Sequence, residues 1–203
     1  MFPAFLKLQG RRVVVVGGGP VAASKLAALQ AAGAHIVVVA PDVCDAIRSA
    51  GVEVIQRPFE SSDLAGAWFV VAAAPPDVNR SVAREADQRH VFVNAVDDPS
   101  NASVYLGGVV RRPGVTLAIS TDGAAPALAG LLREALDHML PDDLTLSKWN
   151  ARAREIRQSW RSRGVPMEAR RPELLEALNA LYESRTASSP GDRADVRDPE
   201  LVK

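Results

Sequence analysis

Arg12-Val13-Val14-Val15-Val16-Gly17-Gly18-Gly19-Pro20-Val21-Ala22 decides how the rest of the chain is read. Four consecutive valines have no helical period and a strong β preference, so they predict a strand buried on both faces. Three glycines follow, and Pro20 stands where a first helical residue tolerates a missing N–H. Ala22 to Ala32 continues as an alanine-rich helix, and Gly33 ends it. The spacing Gly17-x-Gly19-x-x-Ala22, set between strand and helix, is that of a dinucleotide-binding turn. Gly17 allows the tight turn, Gly19 lets the backbone approach a pyrophosphate, and Ala22 permits close helix–strand packing. Unpaired N–H groups at the helix start suit an anion. The alternative is a sharp turn with no ligand.

Outward from this stretch the pattern alternates. His35–Ala40, Val52–Gln56, Ala67–Ala74 and His90–Val96 read as strands, and Val43–Ser49 and Asp77–Gln88 as helices. Such alternation at short spacing implies βαβ units, right-handed crossovers and a parallel sheet, an α/β fold of Rossmann-like type. Asp42, after Pro41, falls about twenty residues beyond the glycines, where an acidic group meets ribose hydroxyls. It could equally cap the helix Val43–Ser49. Ala73 and Ala74, at the end of a strand, are small enough for a cofactor to lie against the backbone. The rhythm then changes. Val104–Arg112 and Val115–Ser120 read as strands joined at Pro113-Gly114. Helices are expected over Pro126–Leu140, Asp142–Arg163 and Pro172–Glu183, with a polar, mobile tail after Ser184.

Composition narrows the classes. The 203 residues are 47% hydrophobic, enough for a full α/β domain with a smaller appendage. Lys+Arg 24 against Asp+Glu 24 gives no net charge, so nothing global points to nucleic acid or an anionic membrane surface. The start of the chain lacks a signal-peptide pattern and no apolar run spans a bilayer. Cys44 is the single cysteine, which fits a reducing cytoplasm and rules out an intrachain disulfide. No Cys/His cluster has metal-ligand spacing, and no Gly-x-Ser-x-Gly elbow is present.

Polar residues at strand ends must supply any chemistry beyond cofactor binding. Asn94, Asp97 and Asp98 follow the fifth strand, and Ser120, Thr121, Asp122 and Gly123 follow the last one. A carboxylate beside a cofactor crevice can act as base for the proton lost alongside a hydride. The plainer readings are an Asx-type turn at Asp97-Asp98-Pro99 and a helix-entry loop at Ser120–Gly123.

These residues resemble the siroheme synthase N-terminal module, the family of precorrin-2 dehydrogenases, some of which are also sirohydrochlorin ferrochelatases. The match runs from Phe2-Pro3 and Leu6 through Val13–Gly19, Val21-Ala22 and Lys25, then Ala31–Ala34 and Asn94-x-Val96-Asp97. It ends with Ser120-x-x-Gly123-x-x-Pro126-x-Leu128-Ala129-x-Leu131–Glu134, covering roughly residues 2–140. The resemblance implies NAD held at Gly17, Gly19-Pro20-Val21 and near Pro41-Asp42, with Asp97 as the acid/base. It implies a homodimer acting on precorrin-2, a tetrapyrrole with many carboxylate arms, giving sirohydrochlorin in siroheme or cobalamin formation. Asn94, Ser120, Thr121 and Gly123 would meet the substrate, and Arg111, Arg112 and Arg133 suit its carboxylates. Fe2+ or Co2+ would be a substrate where metal insertion also occurs. The expected organisation is a Rossmann-like domain over residues 1–112, a central dimerisation and active-site segment over 113–141, a helical domain over 142–184 and a tail over 185–203. Two departures stand out: Thr121 replaces a common serine, and Ala74-Pro75-Pro76 replaces a hydroxyl-bearing loop. Neither a non-catalytic NAD(H)-sensing dimer nor a chelatase alone conflicts with the same fold. No counterpart of the fused members' methyltransferase domain follows, so uroporphyrinogen methylation is not expected of this chain.

Overall fold

The computed structural model describes residues 2–122 and 124–187; expectations for Gly123 and for 188–203 lie outside the described residues. Strand and helix alternate through Arg12–Val16 (β1), Pro20–Ala31 (α1), His35–Val39 (β2), Asp45–Arg48 (α2), Glu53–Ile55 (β3), Phe69–Ala72 (β4), Pro76–Gln88 (α3) and Phe92–Ala95 (β5). The five strands pair in parallel in the order β3-β2-β1-β4-β5, with Val13 opposite Ile36 on one side and Phe69 on the other. The winding reverses between β1 and β4. A doubly wound sheet opens its crevice at the strand ends of that junction.

The valine run explains the layering. Val13 and Val15 face Leu26 and Leu29 of α1 and Ile47 of α2, while Val14 and Val16 face Val82 and Ala86 of α3. Both faces are covered, so all four are 0–2% exposed and no polar alternation is needed. Each fully buried valine contributes roughly 1.5–3 kcal/mol. At the end of α1, Gly33 takes φ +70, its N–H bonds the Gln30 carbonyl, and the Ala34 N–H bonds that of Leu29. That is a Schellman stop, and it turns the chain directly into β2.

The chain then passes a short turn at Pro99–Asn101 and enters Gly108–Arg112 (β6) and Val115–Ile119 (β7), a two-stranded sheet joined at Gly114, whose φ is +72. Pro126–Met139 (α4), Asp143–Arg163 (α5) and Met167–Ala187 (α6) follow. Two compact units interleave along the sequence. One holds the chain up to Gly108 together with Ile119–Leu132; the other holds Val109–Ala118 and the chain from Arg133 onward. Within the second, Arg112 bonds Asp137 at 2.8 Å and Asp143 at 3.1 Å, and the Asn150 side chain donates to the Pro113 carbonyl. Asp142 caps α5 by accepting from the Thr145 N–H, and Gly164 ends it in the left-handed region. Among the described residues, no helix is long and apolar enough to cross a membrane.

Beyond the five-stranded sheet, two elements differ from the sequence expectation. The strand expected from Val104 begins only at Gly108, because Val104 is committed elsewhere: its N–H bonds the Val93 carbonyl, and its own carbonyl accepts from Asn94 Nδ2. The last helix begins at Met167, well before Pro172, and runs on past Ser184 to Ala187. Pro172 removes one backbone bond, but neighbouring Glu173 is held by Trp160 Nε1 at 2.9 Å and Arg163 at 2.6 Å. Tertiary contact overrides the local break.

A staple closes the loop after β3. Asp63, 4% exposed, accepts two bonds from Arg57, at 2.6 and 2.9 Å, and one from the Glu60 N–H. The Arg57 hydrogen bonds are the main reason its carboxyl lies below the usual carboxylate range. A carboxyl lowered by folding contributes stability above its unfolded value and loses it as the pH falls through the folded one. Asp63→Asn is therefore expected to lower urea stability at pH 7. The gap from wild type should close as the pH drops below about 4; a gap independent of pH would contradict this account.

Candidate functional site

The glycine loop is built by two backbone contacts. Gly17 has φ +132, and a Cβ there would lie 2.2 Å from the Ala73 carbonyl oxygen. A Cβ on Gly18 would lie 1.7 Å from that of Asp42. These two glycines let the loop nestle between the exits of β2 and β4. Gly19 is different: its backbone is extended, and a Cβ would meet nothing within 4 Å. The first intrahelical bond runs from the Ala23 N–H to the Gly19 carbonyl, so the N–H groups of Val21 and Ala22 precede the ladder. Open space at Gly19 and free donors at a helix start fit a pyrophosphate.

Pro41 and Asp42 follow β2, and Asp42 is exposed. Its Oδ1 accepts from the Val43 N–H and from Arg48, both at 2.8–2.9 Å. It does not cap α2; Cys44 holds the N-cap position, with no side-chain bond. Capping is unavailable to Asp42 because the helix starts later than the sequence pattern suggests. Ala73 and Ala74 follow β4, and the Ala74 N–H donates to the Asn79 side chain, itself 4% exposed, at 2.9 Å. Asn79 thus pins the Ala74-Pro75-Pro76 loop, a role its place inside a helical pattern did not reveal.

A cleft of about 510 Å³ lies within the first unit. Asn94, Asp97, Ser120 and Thr121 all line it, as do Lys25 of α1 and Gly130 of α4. A Cβ on Gly107 would lie 1.9 Å from the Ile119 carbonyl oxygen, so the segments before β6 and after β7 meet backbone to backbone in one wall. Arg111 and Arg133 are not among the lining residues; both belong to the second unit, where Arg133 pairs with Glu134 at 3.0 Å.

The two aspartates after β5 differ. Asp98 accepts from Ser100 at 2.6 Å and Asn101 at 2.7 Å, and these bonds hold its carboxyl below the usual range. It is the turn's own residue and a poor proton acceptor. Asp97 has φ +56, a left-handed conformation aspartate tolerates better than most. It is exposed, lines the cleft, and its side chain has no hydrogen-bond or ion-pair partner among the described residues. Asn94 is 8% exposed and spends its amide on Val104, so it anchors the wall. Ser120 Oγ accepts from the Asp122 N–H, which leaves its hydroxyl proton free, whereas Thr121 donates to the Ala125 carbonyl. Among the described residues no His/Cys/Asp/Glu group could hold a metal ion.

Residues 4–108 match a family model described as "Putative NAD(P)-binding". A siroheme synthase of Photorhabdus laumondii is 40% identical over 171 residues, 79% of this chain and 36% of that protein. A siroheme synthase of Aeromonas hydrophila is 37% identical over 199 residues, 96% of this chain and 42% of that protein. The solved structure titled SirC, precorrin-2 dehydrogenase, is 25% identical with a TM-score of 0.68, covering 92% of this chain and 100% of that one. The chain belongs to the siroheme synthase N-terminal module family. It spans less than half the length of the curated relatives it matches.

Membership in this NAD(P)-binding family agrees with the loop geometry, since each glycine has its own physical reason. Gly18 was legible only as part of a run, and its clash partner lies on another strand exit. Lys25, a motif residue with no site role evident in the sequence, lines the cleft. The loop account makes opposite predictions for adjacent glycines. Gly19→Val is expected to keep the wild-type melting temperature and lose nicotinamide-dinucleotide binding in calorimetry. Gly18→Ala should lose about 1–3 kcal/mol of stability by overpacking. A Gly19→Val protein that folds and binds normally would refute the placement.

Proposed function

We propose that the chain catalyses the NAD-dependent dehydrogenation of precorrin-2 to sirohydrochlorin, as a homodimer, in siroheme or cobalamin formation. The observation that carries this reading is the free Asp97 carboxylate in a cleft at the carboxyl end of the sheet whose β1 exit holds the glycine loop. The named siroheme synthase relatives and the precorrin-2 dehydrogenase neighbour support the substrate.

Gly17 sets the turn, and Gly19 and Pro20 with the N–H groups of Val21 and Ala22 receive the pyrophosphate. Ala73 and Ala74 leave room beside the backbone, and Pro41 and Asp42 take the adenosine ribose. The bound nicotinamide supplies a hydride acceptor. Asp97 accepts on a carboxylate oxygen the proton that leaves the substrate carbon, while Asp98 stays locked in its turn. Ser120 offers a free hydroxyl donor, and Thr121 offers oxygen lone pairs, to orient a substrate arm. Asp42 Oδ2 has no hydrogen bond among the described residues and the side chain faces solvent, which favours a ribose hydroxyl and disfavours a 2′-phosphate. This supports NAD over NADP.

Asp97→Asn is expected to lower kcat about 10²–10⁴-fold with NAD+ affinity unchanged, measured as NADH and sirohydrochlorin absorbance from precorrin-2. Wild type that binds NAD+ yet forms no NADH from precorrin-2 would sink the reading. Asp42→Asn is expected to narrow the preference for NAD+ over NADP+ in the same assay; an unaltered ratio would remove Asp42 from the ribose site.

A further inference from the structure

We infer that Lys25 seats a carboxylate arm of the substrate in the cleft, an inference that rests on the tetrapyrrole reading above. Lys25 sits on α1 beyond the first turn and is half-buried. Among the described residues it is the only cation lining the cleft, whose other charged members are Asp97 and Asp98. It has no hydrogen bond or ion pair among the described residues. Three other cations of the same unit are matched by carboxylates: Arg48 by Asp42, Arg57 by Asp63 and Arg89 by Glu85.

The electrostatics follow directly. A polycarboxylate entering a cleft with two carboxylates meets repulsion on arrival. One ammonium in the same cleft, not neutralised beforehand, offsets it and fixes where an arm can lie. The pyrophosphate is the competing anion, but no residue of Gly17–Val21 lines this cleft, while Lys25 does. The side chain therefore belongs to the substrate side of α1, and the same helix serves both ligands from different turns.

The test uses the full chain with Lys25→Gln and Lys25→Arg. Sirohydrochlorin binding is titrated by absorbance without NAD+, NAD+ binding by calorimetry, and precorrin-2 turnover at low and high salt. Lys25→Gln is expected to raise the sirohydrochlorin Kd and the precorrin-2 KM about tenfold, the worth of one charge-assisted contact. kcat and NAD+ affinity should hold, the effect should shrink with salt, and Lys25→Arg should restore most of the loss. An unchanged sirohydrochlorin Kd, a weakened NAD+ affinity, or a fall in kcat at constant KM would each overturn the assignment. If wild type binds sirohydrochlorin, and Lys25→Gln weakens this, yet no NADH forms, the dehydrogenase reading fails while Lys25 stands. If wild type turns over and Lys25→Gln binds equally well, only Lys25 fails.

Discussion

Two main-chain carbonyls, those of Asp42 and Ala73, approach the glycine loop so closely that no side chain fits between. Much of the site depends on that constraint. It draws the exits of β1, β2 and β4 together at the reversal of the sheet. It sets where α1 begins, and so which N–H groups are left outside the helical ladder. It also ties the backbone of Asp42 to the loop while leaving the carboxylate outside. The open space at Gly19 is the complement of this crowding: its neighbours are consumed by packing, and it alone keeps room for a ligand.

At the far side of the sheet the same economy appears in polar form. Asp97 and Asp98 are adjacent, chemically identical and differently used. Ser100 and Asn101 satisfy Asp98, so the turn is stable without help from its neighbour. Asp97 is thrown into the left-handed region, at a cost of about 1–2 kcal/mol for a residue with a Cβ. Its carboxylate is left with nothing of the protein to bind. A conformational cost with no internal return is common where a group must face a ligand.

Much of this was legible in the sequence wherever the cause is local. Pro20 and Gly33 each act on residues within a turn of themselves, and both sit where their chemistry suggests; the valine run declares its two-sided burial by its own composition. The place of Asn94 and Asp97 was legible too, because parallel strands deliver their ends to one side; Ser120 and Thr121 reach the same cleft from the two-stranded sheet, where Gly107 lies against the Ile119 carbonyl. What escaped has a distant cause. Gly18 answers to Asp42, Asn79 to Ala74 across a loop, and Val104 to Asn94 rather than to a strand partner. Pro172 looked like a helix boundary because Glu173's partners, Trp160 and Arg163, lie on another helix. Asp42 looked like a cap because the pattern starts α2 too early.

The interleaving of the two units has a consequence for how the chain is made and inherited. The path changes unit at Gly108, again at Ala118 and again at Leu132. On a ribosome, the sheet and glycine loop emerge well before Ser120 and Gly130, so an early nascent chain has the loop and lacks the wall of the cleft. Topology delays a complete pocket until the hairpin has been made and the chain has come back. No single cut in the polypeptide separates one unit from the other. In recombination such a piece travels as one block, with joints admitted beyond its ends and none at the seam between its halves.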